Sequence, residues 1–423
     1  MTRYFQDSDS CTDSHQICEY ENLGKELMGA IMAYGQHLRQ KHIAGPSPSL
    51  GGWKIMQSSN QEIIQEKNRV FHFCSCLKVV LDLGIEQQIK KGELKSAQQL
   101  AKAVGADPAL IVRVMRVVMT KYVFAEPEPN VYCHTPISRT MQEPAMRALL
   151  LHRLDEGFRS ASRQPDALRL NDYHEPIPGD INGFNLAFGS RESFWEFMDT
   201  DNKRGERFDQ AMKAVTINNL SDIPNLYPFE SLVKDGGIIV DVGGGLGQVS
   251  RQILACHSEA RLQCIVQDRQ SVVNPPLNES EENPVENGSS SASALSFQEH
   301  DFFNPQPVQG AAAYLFRHIF HDWPDAACIK ILRQTVPAMD PEHSRILICD
   351  QIVDDKLPSM SSVLYDVDMM TLFGGKERTL PEFLSLIKQA DPKLYIENVK
   401  RLEDSGTTMI EVRLASESKQ VPA

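Results

Sequence analysis

The chain has 423 residues, of which 41% are hydrophobic and 23% charged, and its formal net charge is −13 at pH 7. Because ordinary domains have about 100–200 residues and this apolar content is normal for a globular protein, the length predicts two domains. The acidic charge disfavours binding to the phosphates of nucleic acids, and no apolar run approaches the roughly 20 residues that a membrane-spanning helix needs.

The first 20 residues, 1–20, are polar and are predicted to be disordered. They lack the apolar core of a signal peptide, which favours a cytosolic (cytoplasmic) enzyme. The nine cysteines of the chain are scattered without the spacing of metal ligands, so we expect reduced thiols and no bound metal.

Residues 21–180 are predicted to form a mainly helical domain. Within it, 96–105 and 107–119 have the pattern of a helix-turn-helix pair, with a glycine at the break and a proline at the start of the second helix. Short apolar runs at 122–125 and 131–134 indicate a small β wing. A winged helix can bind DNA, but the second helix carries only two arginines and the chain is acidic, which argues against that use.

A glycine-rich turn follows a short β-branched run at 238–240. The run suits a buried parallel strand, and the glycines let the backbone turn tightly against a ligand. Their spacing, Asp-x-Gly-x-Gly-x-Gly, differs from the Gly-x-Gly-x-x-Gly of dinucleotide sites and favours a single nucleoside over a pyrophosphate. A glycine-rich turn in some other α/β protein is the alternative. The candidate ligand contacts are Asp241, Gly243, Gly244, Gly245 and Gly247.

Two further strands are predicted to bring side chains to the same edge of the sheet. One ends in Asp268, at the usual position of a carboxylate that holds a ribose diol. After the next, Asp301 and Phe302 stand where such folds reach an adenine, by accepting from its amine and by stacking. A solvated loop acid and a core aromatic are the plain alternatives. The polar segment 275–294 between the two strands is predicted to be a flexible insertion.

The residues that carry the chemistry are predicted to follow a fourth buried strand at 311–316. His321 falls just beyond it, and an imidazole with a pKa of about 6.5 can take the proton of a phenol, whose own pKa is about 10. Asp350, after a fifth apolar run, and Glu377 lie at matching positions, and either could accept from the other imidazole nitrogen. A satisfied structural histidine at a helix start is the alternative for His321.

Taken together, the motifs resemble those of the class I S-adenosylmethionine-dependent O-methyltransferases of plants and fungi, which act on phenolic and polyketide-type compounds. The resemblance covers the chain from about residue 68 to residue 414, and the motifs stand in the family's order. They are Val240-Asp-Val-Gly-Gly-Gly-Leu-Gly247, Gln267-Asp-Arg269, Asp301-Phe-Phe303, Arg317-His-Ile-Phe-His-Asp-Trp323, Leu347-Ile-Cys-Asp-Gln351 and Gly374-Gly-Lys-Glu-Arg-Thr379.

The resemblance implies an α/β fold, in which a mainly α-helical winged-helix dimerisation domain precedes a Rossmann-like methyltransferase sheet. It assigns 21–180 to the dimerisation domain and 181–423 to the catalytic domain. In these relatives the helices of two chains interlock, so a homodimer through the N-terminal domain is expected. The helix predicted at 380–389 and the strands at 394–400 and 407–414 agree, because an antiparallel strand pair closes methyltransferase sheets.

The resemblance also implies the cofactor and the roles of the polar residues. S-adenosylmethionine is the expected methyl donor and S-adenosylhomocysteine its product, with an aromatic hydroxyl compound as acceptor. His321 would be the catalytic base, flanked by Glu377 and Asp350, although plant members commonly carry a longer glutamate at the last position. Arg317 stands where many plant members have a lysine that contacts the cofactor. Arg269, in the motif of the ribose acid, is expected there too.

An apolar acceptor pocket is expected from aromatic and methionine side chains. In the family, the counterparts of Phe208 and Met212 wall this pocket, and thioethers suit it because they adapt to irregular shapes and contact ring edges. Each side chain is also an ordinary candidate for the core, so only the group is predicted. The group comprises Trp195, Phe208, Met212, Met369, Met370 and Phe373.

Methyl transfer to a phenolic hydroxyl is therefore the main hypothesis, with a fungal polyketide-type phenol as the expected acceptor. A catalytically silent relative that serves as a partner or regulator is one alternative, against which the intact His321, Asp350 and Glu377 speak. An NAD(P)-dependent oxidoreductase is the other, but Gln248 stands where its fingerprint needs a third glycine. The sequence gives neither the identity of the acceptor nor the hydroxyl that is methylated.

Overall fold

The computed structural model describes residues 68–220, 223–273, 294–402 and 407–416, with the side chains of 216–220 excepted. The chain divides into two compact units, Met1–Asn68 and Arg69–Ala423, and the description below concerns the second. The start predicted to be disordered lies outside the described residues, and so does the predicted insertion at 275–294 apart from its last residue.

A winged-helix arrangement opens the second unit. Its helices are α1 (Val70–Leu83), α2 (Ala97–Val104) and α3 (Pro108–Met119), and its strands are β1 (Lys95–Ser96), β2 (Phe124–Glu128) and β3 (Val131–His134). The strands pair antiparallel in the order β1-β3-β2. Ser96 closes a capping box on α2, and Asp107 caps α3, where Pro108 needs no hydrogen-bond acceptor in the first turn. The predicted helix pair and wing are confirmed.

Short helices connect the winged helix to the main sheet. They are α4 (Pro136–Thr140), α5 (Pro144–His152), α6 (Phe158–Leu170), α7 (Gly183–Phe188), α8 (Phe194–Thr200), α9 (Asn202–Leu220) and α10 (Ile223–Leu226). A single π-helical turn, Arg153–Gly157, joins α5 directly to α6. Helix α9 packs along α5, and α6 packs along α7. The chain therefore passes twice beside α5 before it enters the sheet.

The main sheet has seven strands in the order β6-β5-β4-β7-β8-β10-β9. The strands are β4 (Ile238–Val242), β5 (Gln263–Asp268), β6 (Leu295–Glu299), β7 (Ala313–Arg317), β8 (Ile346–Gln351), β9 (Leu394–Arg401) and β10 (Thr407–Leu414). The first five pair parallel, and β10 pairs antiparallel with β8 and β9. Except for their last residues, β7 and β8 are wholly buried, as their apolar runs require. The predicted α/β methyltransferase sheet is confirmed.

Helices flank this sheet on both sides and complete its core. They are α11 (Gln248–Cys256), α12 (Gln270–Val273), α13 (Asp325–Thr335), α14 (Met360–Phe373) and α15 (Leu380–Ala390). The strand order reverses at β4, which lies between β5 and β7. Ligands of open α/β sheets bind outside the carboxyl ends of the strands at such a reversal, and the loops after β4, β5 and β7 meet there. In the part of the chain that the structure describes, no helix is long and apolar enough to span a bilayer.

Candidate active site

The glycine loop after β4 is packed from beneath and open above. A Cβ atom on Gly244 would lie 2.6 Å from Cγ of Asp241, so this position tolerates no side chain. Gly245 has a φ of +58°, and a Cβ atom there would meet nothing within 4 Å. Helix α11 begins at the end of the loop, so its first amides face the same side. The loop therefore presents bare backbone to an open space at the sheet edge.

Two carboxylates hold this loop in place. Asp241 is 1% exposed and accepts a hydrogen bond from Oγ of Ser250 at 2.7 Å, and burial raises its pKa to about 6. Asp268, at the end of β5, accepts from the amides of Gly245 and Arg269, each at 2.8 Å. Burial is the main cause of its raised pKa. Asp241 thus supports the loop from behind, whereas Asp268 stands beside the open glycine.

Two of the residues predicted at the adenine end differ in their surroundings. Asp301 is exposed and accepts from the amide of Phe303 at 2.9 Å, which makes it part of a turn. Phe302 is half-buried, and its Cε1 lies 3.7 Å from the position of a Cβ atom on Gly243. The structure therefore brings Phe302, the less specific of the two signals, against the glycine loop.

Arg269 points toward the helical region of the chain. Its guanidinium forms an ion pair with Asp199, and its Cζ lies 5.5 Å from the ring centroid of Trp195. Both partners belong to α8. The structure occupies this side chain with a bridge between β5 and α8, a contact that the sequence motif did not indicate.

Arg317, the last residue of β7, has a buried guanidinium with unused donors. Its Nε and Nη2 atoms are enclosed and have no hydrogen-bond partner among the described residues. Burial lowers its pKa, and the charges of Asp241 and Asp350 only partly offset this effect. An enclosed cation with free N–H groups at the edge of a sheet is costly unless a ligand accepts from it.

His321 lies in the 3-10 turn Phe320–Asp322 that follows β7. Its Nδ1 is 2.8 Å from Oε1 of Glu377, and its Nε2 is 3.5 Å from Oδ1 of Asp322. Burial alone would lower the pKa of His321, but the negative charges of Glu377 and Asp322 outweigh it and raise the pKa above its ordinary value. A carboxylate that accepts from Nδ1–H leaves the lone pair of Nε2 available as a base.

The second predicted orienting acid, Asp350, makes no such contact. Both of its carboxylate oxygens are enclosed without a hydrogen-bond partner among the described residues. Burial raises its pKa to about 6, and the field of His321 opposes that rise. The expectation that either acid could accept from the imidazole is therefore corrected: Glu377 does so, and Asp350 acts on His321 only through its charge. The acid near Nε2 is Asp322, whose place in the His-Asp-Trp motif was the available signal.

Arg378 ties the turn that carries His321 to the turn that carries Glu377. Its guanidinium donates to the carbonyl oxygens of Phe320 at 2.7 Å and Trp323 at 2.8 Å. The amide of Lys376 also donates to the carbonyl of His321 at 2.8 Å. Sequence reasoning gave Arg378 no role, although it stands in the quoted Gly-Gly-Lys-Glu-Arg-Thr motif. It is 1% exposed, and a buried arginine beside a candidate acid was the signal for it.

The predicted acceptor pocket is partly assembled as an aromatic cluster. The Trp195 and Phe373 rings stack with centroids 5.4 Å apart and planes at 17°, and Trp195 meets Phe208 edge-on at 5.5 Å. Phe194, which the prediction omitted, lies 4.7 Å from Phe373 and 5.2 Å from Phe208. The remaining predicted members, Met212, Met369 and Met370, are half-buried on α9 and α14, the helices that carry Phe208 and Phe373.

Two family models match this chain. One is described as an O-methyltransferase domain and matches residues 171–391, and the other is described as an O-methyltransferase dimerisation domain and matches residues 68–143. O-methyltransferase penK of Penicillium thymicola is 44% identical over 93% of this chain and 95% of its own length. Sterigmatocystin 8-O-methyltransferase of Aspergillus parasiticus is 32% identical over 78% of this chain and 77% of its own length.

The fold also matches a solved structure. The crystal structure of OxaC in complex with SAH and oxaline superposes with a TM-score of 0.75 and 28% sequence identity. The match covers 85% of this chain and 89% of that one. It therefore includes both the sheet and a large part of the helical region that precedes it.

Proposed function

From the premise that the chain belongs to the O-methyltransferase family, we propose that it moves a methyl group from S-adenosylmethionine to a phenolic hydroxyl. In this proposal His321 is the general base. The observation that carries the proposal is the 2.8 Å contact between Nδ1 of His321 and Oε1 of Glu377, at the sheet edge that the glycine loop shares. The acceptor would be an aromatic small molecule of fungal secondary metabolism.

The residues at the sheet edge fit S-adenosylmethionine. Gly245 opens on space, Asp268 stands beside it, and Arg317 offers enclosed N–H groups that lack acceptors among the described residues. We assign the glycine loop, Asp268, Phe302 and Arg317 to the cofactor. Asp241 would act by supporting the loop, and Asp301 and Arg269 stay predictions. When bound, the cofactor supplies an electrophilic methyl group on a sulfonium.

The chain's own task is then to position the acceptor and remove its proton. Glu377 accepts from Nδ1–H of His321, so the lone pair of Nε2 takes the phenol proton as the acceptor oxygen gains the methyl group. The raised pKa of His321 approaches that of a phenol, about 10, which makes this proton transfer nearly balanced. Asp322, 3.5 Å from Nε2, favours the imidazolium that results.

An aromatic acceptor suits the cluster beside the base. Phe373 ends α14 only four residues before Glu377, and its ring contacts Phe194 and stacks on Trp195. Flat aromatic walls favour a flat aromatic ligand. The name of the sterigmatocystin 8-O-methyltransferase supports the same class of acceptor, because it places a methylated oxygen on a fungal metabolite. We therefore propose a polyketide-type phenol.

We further propose a homodimer formed through the N-terminal region, on the strength of the dimerisation-domain match at 68–143. The boundary between a dimerisation domain at 21–180 and a catalytic domain at 181–423 stays a prediction. So does the cytosolic location expected from the sequence.

The first test is a calorimetric titration of the purified protein with S-adenosylhomocysteine, beside a titration with NADPH. Saturable binding of S-adenosylhomocysteine alone is expected, and binding of NADPH alone would point to the oxidoreductase instead. Transfer of labelled methyl from S-adenosylmethionine to a panel of phenols then separates the enzyme from a silent relative. In His321→Ala we expect loss of transfer with S-adenosylhomocysteine affinity kept.

A further inference from the structure

The structure contains a second histidine–glutamate pair, on the helical side of the aromatic cluster. His152 ends α5, and its Nδ1 lies 3.0 Å from Oε2 of Glu156. Both side chains are buried, with His152 at 5% and Glu156 at 1% exposure. The sequence gave no reason to single out either residue. The pair repeats the arrangement of His321 and Glu377.

The charge state of Glu156 fixes which nitrogen of His152 carries a proton. Oε1 of Glu156 forms ion pairs with both Arg204 and Arg207 of α9. A carboxylate held by two guanidiniums is ionised and can only accept, so Nδ1 of His152 is protonated. This assignment leaves Nε2 with a free lone pair. Glu156 also lies in the π-helical turn, and such turns occur frequently at functional sites.

The ring of His152 lies against the predicted acceptor pocket. It meets Phe208 edge-on with centroids 5.2 Å apart and Phe194 at 6.0 Å. Phe194 in turn contacts Phe373, which leads into the turn of the catalytic acid. His152 also faces α14, because its field partly offsets the rise that burial causes in the pKa of Asp368. The two histidine–glutamate pairs therefore flank one aromatic cluster.

A comparison with His134 separates this arrangement from an ordinary structural histidine. In His134, Nδ1 pairs with Oγ of Ser138 at 2.8 Å, and Nε2 lies 2.9 Å from the carbonyl oxygen of Ile89, so both ring nitrogens are used. In His152 only Nδ1 has a hydrogen-bond partner among the described residues. Buried polar atoms are normally satisfied, so the remaining nitrogen is available to a ligand.

We propose that Nε2 of His152 binds a second hydroxyl group of the aromatic acceptor and thereby determines which acceptors, and which orientation, are used. This inference rests on the proposed function, because it places the acceptor between the two pairs. One hydroxyl would face the base His321, and the other would donate to Nε2 of His152. A compound with only one hydroxyl would bind without the second contact.

The test compares the binding of matched ligands to the full-length protein saturated with S-adenosylhomocysteine. The ligands are 2-naphthol, with one hydroxyl, and the dihydroxynaphthalene isomers, which carry a second hydroxyl at different positions. Affinities are measured by calorimetry in the wild type, His152→Phe and His152→Gln. We expect the wild type to prefer at least one dihydroxy isomer by about tenfold, since the added hydrogen bond forms in a buried site.

His152→Phe should remove this preference while its affinity for 2-naphthol stays within about twofold, because the ring volume is kept. His152→Gln, which retains an acceptor, should keep part of the preference. A matched control is His257→Gln, since Nδ1 of His257 pairs with Glu230 at 3.1 Å outside the aromatic cluster. This control should bind every ligand as the wild type does.

Three outcomes would overturn the proposal: equal wild-type affinity for all the naphthols, no binding of any of them, or an undiminished preference in His152→Phe. Methyl transfer is measured separately on the same samples. A preference that depends on His152, in a protein that methylates none of the ligands, would support the binding inference and count against the proposed function.

Discussion

Replacing Arg378 by methionine removes the buried guanidinium that holds the turn of His321. Two main-chain carbonyl oxygens, those of Phe320 and Trp323, would lose a charged donor that now lies 2.7 and 2.8 Å away. At about 1–3 kcal/mol for each, offset in part because a charge is no longer buried, we expect the free energy of unfolding to fall by about 2–4 kcal/mol. The ion pair of Arg378 with Asp325 adds little, because the Asp325 side chain is 59% exposed.

The assay is urea denaturation followed by tryptophan fluorescence, at one protein concentration because the protein is expected to dimerise. The expected result is a lower midpoint with an unchanged slope. Turnover should fall by about tenfold or more, since the carbonyls on either side of His321 would no longer be fixed. Affinity for S-adenosylhomocysteine should change little, because Arg378 contacts none of the residues assigned to the cofactor.

Arg333→Met is the matched control for this variant. Arg333 also donates to two main-chain carbonyl oxygens, those of Ala390 at 3.2 Å and Gln389 at 2.9 Å, but it is exposed at the end of α15. Water replaces these bonds, so the expected loss is within about 0.5 kcal/mol. Equal midpoints for the two variants, or full stability and turnover in Arg378→Met, would refute the role assigned to the guanidinium.

Three further predictions concern the base, its supporting turn and the cofactor contact. Turnover should rise with pH along a limb above the ordinary imidazole pKa, because the neutral form of His321 is the base and its pKa is raised; Glu377→Gln should move this limb to lower pH and lower the plateau by about tenfold or more, and an unmoved limb in pH–rate profiles would contradict this. Gly375→Ala should abolish turnover with S-adenosylhomocysteine affinity kept, since the new Cβ would lie 2.1 Å from the carbonyl oxygen of His321. Gly374→Ala, where a Cβ meets nothing within 4 Å but φ is +69°, should cost only stability in thermal melts, and equal activity of the two would be inconsistent with the clash. Arg317→Met should weaken S-adenosylhomocysteine binding by about tenfold or more in calorimetry, because the enclosed N–H groups are assigned to the ligand, and unchanged affinity would remove Arg317 from the site.

Local patterns in the sequence were sufficient for the elements that build the sheet edge. The strand predicted at 394–400 is one residue longer in the structure, and the strand at 407–414 has the predicted bounds. The glycine loop was also predictable, because a bare backbone between a buried strand and a helix needs residues without side chains at fixed positions. Such features depend on neighbours in the chain, so a single sequence contains the necessary information.

The partners of the candidate base were only partly predictable. Glu377 and Asp350 were equivalent candidates, since both follow apolar segments that end at the same edge. The structure places Glu377 against Nδ1 and leaves Asp350 without a hydrogen bond. Which acid reaches the imidazole depends on how two turns 56 residues apart pack together, and Arg378 and the close approach of Gly375 set that packing.

The sequence by itself determined the fold class, the family and the type of chemistry, because these follow from runs of apolar residues and motifs that are contiguous in the chain. Only the tertiary structure decided which side chains meet. It turned Arg269 toward Asp199, gathered Phe194 with Trp195 and Phe373, and placed His152 against the same aromatic cluster. These contacts join residues far apart in sequence, and their free energy depends on distances, burial and paired charges that exist only once the helices and the sheet have packed.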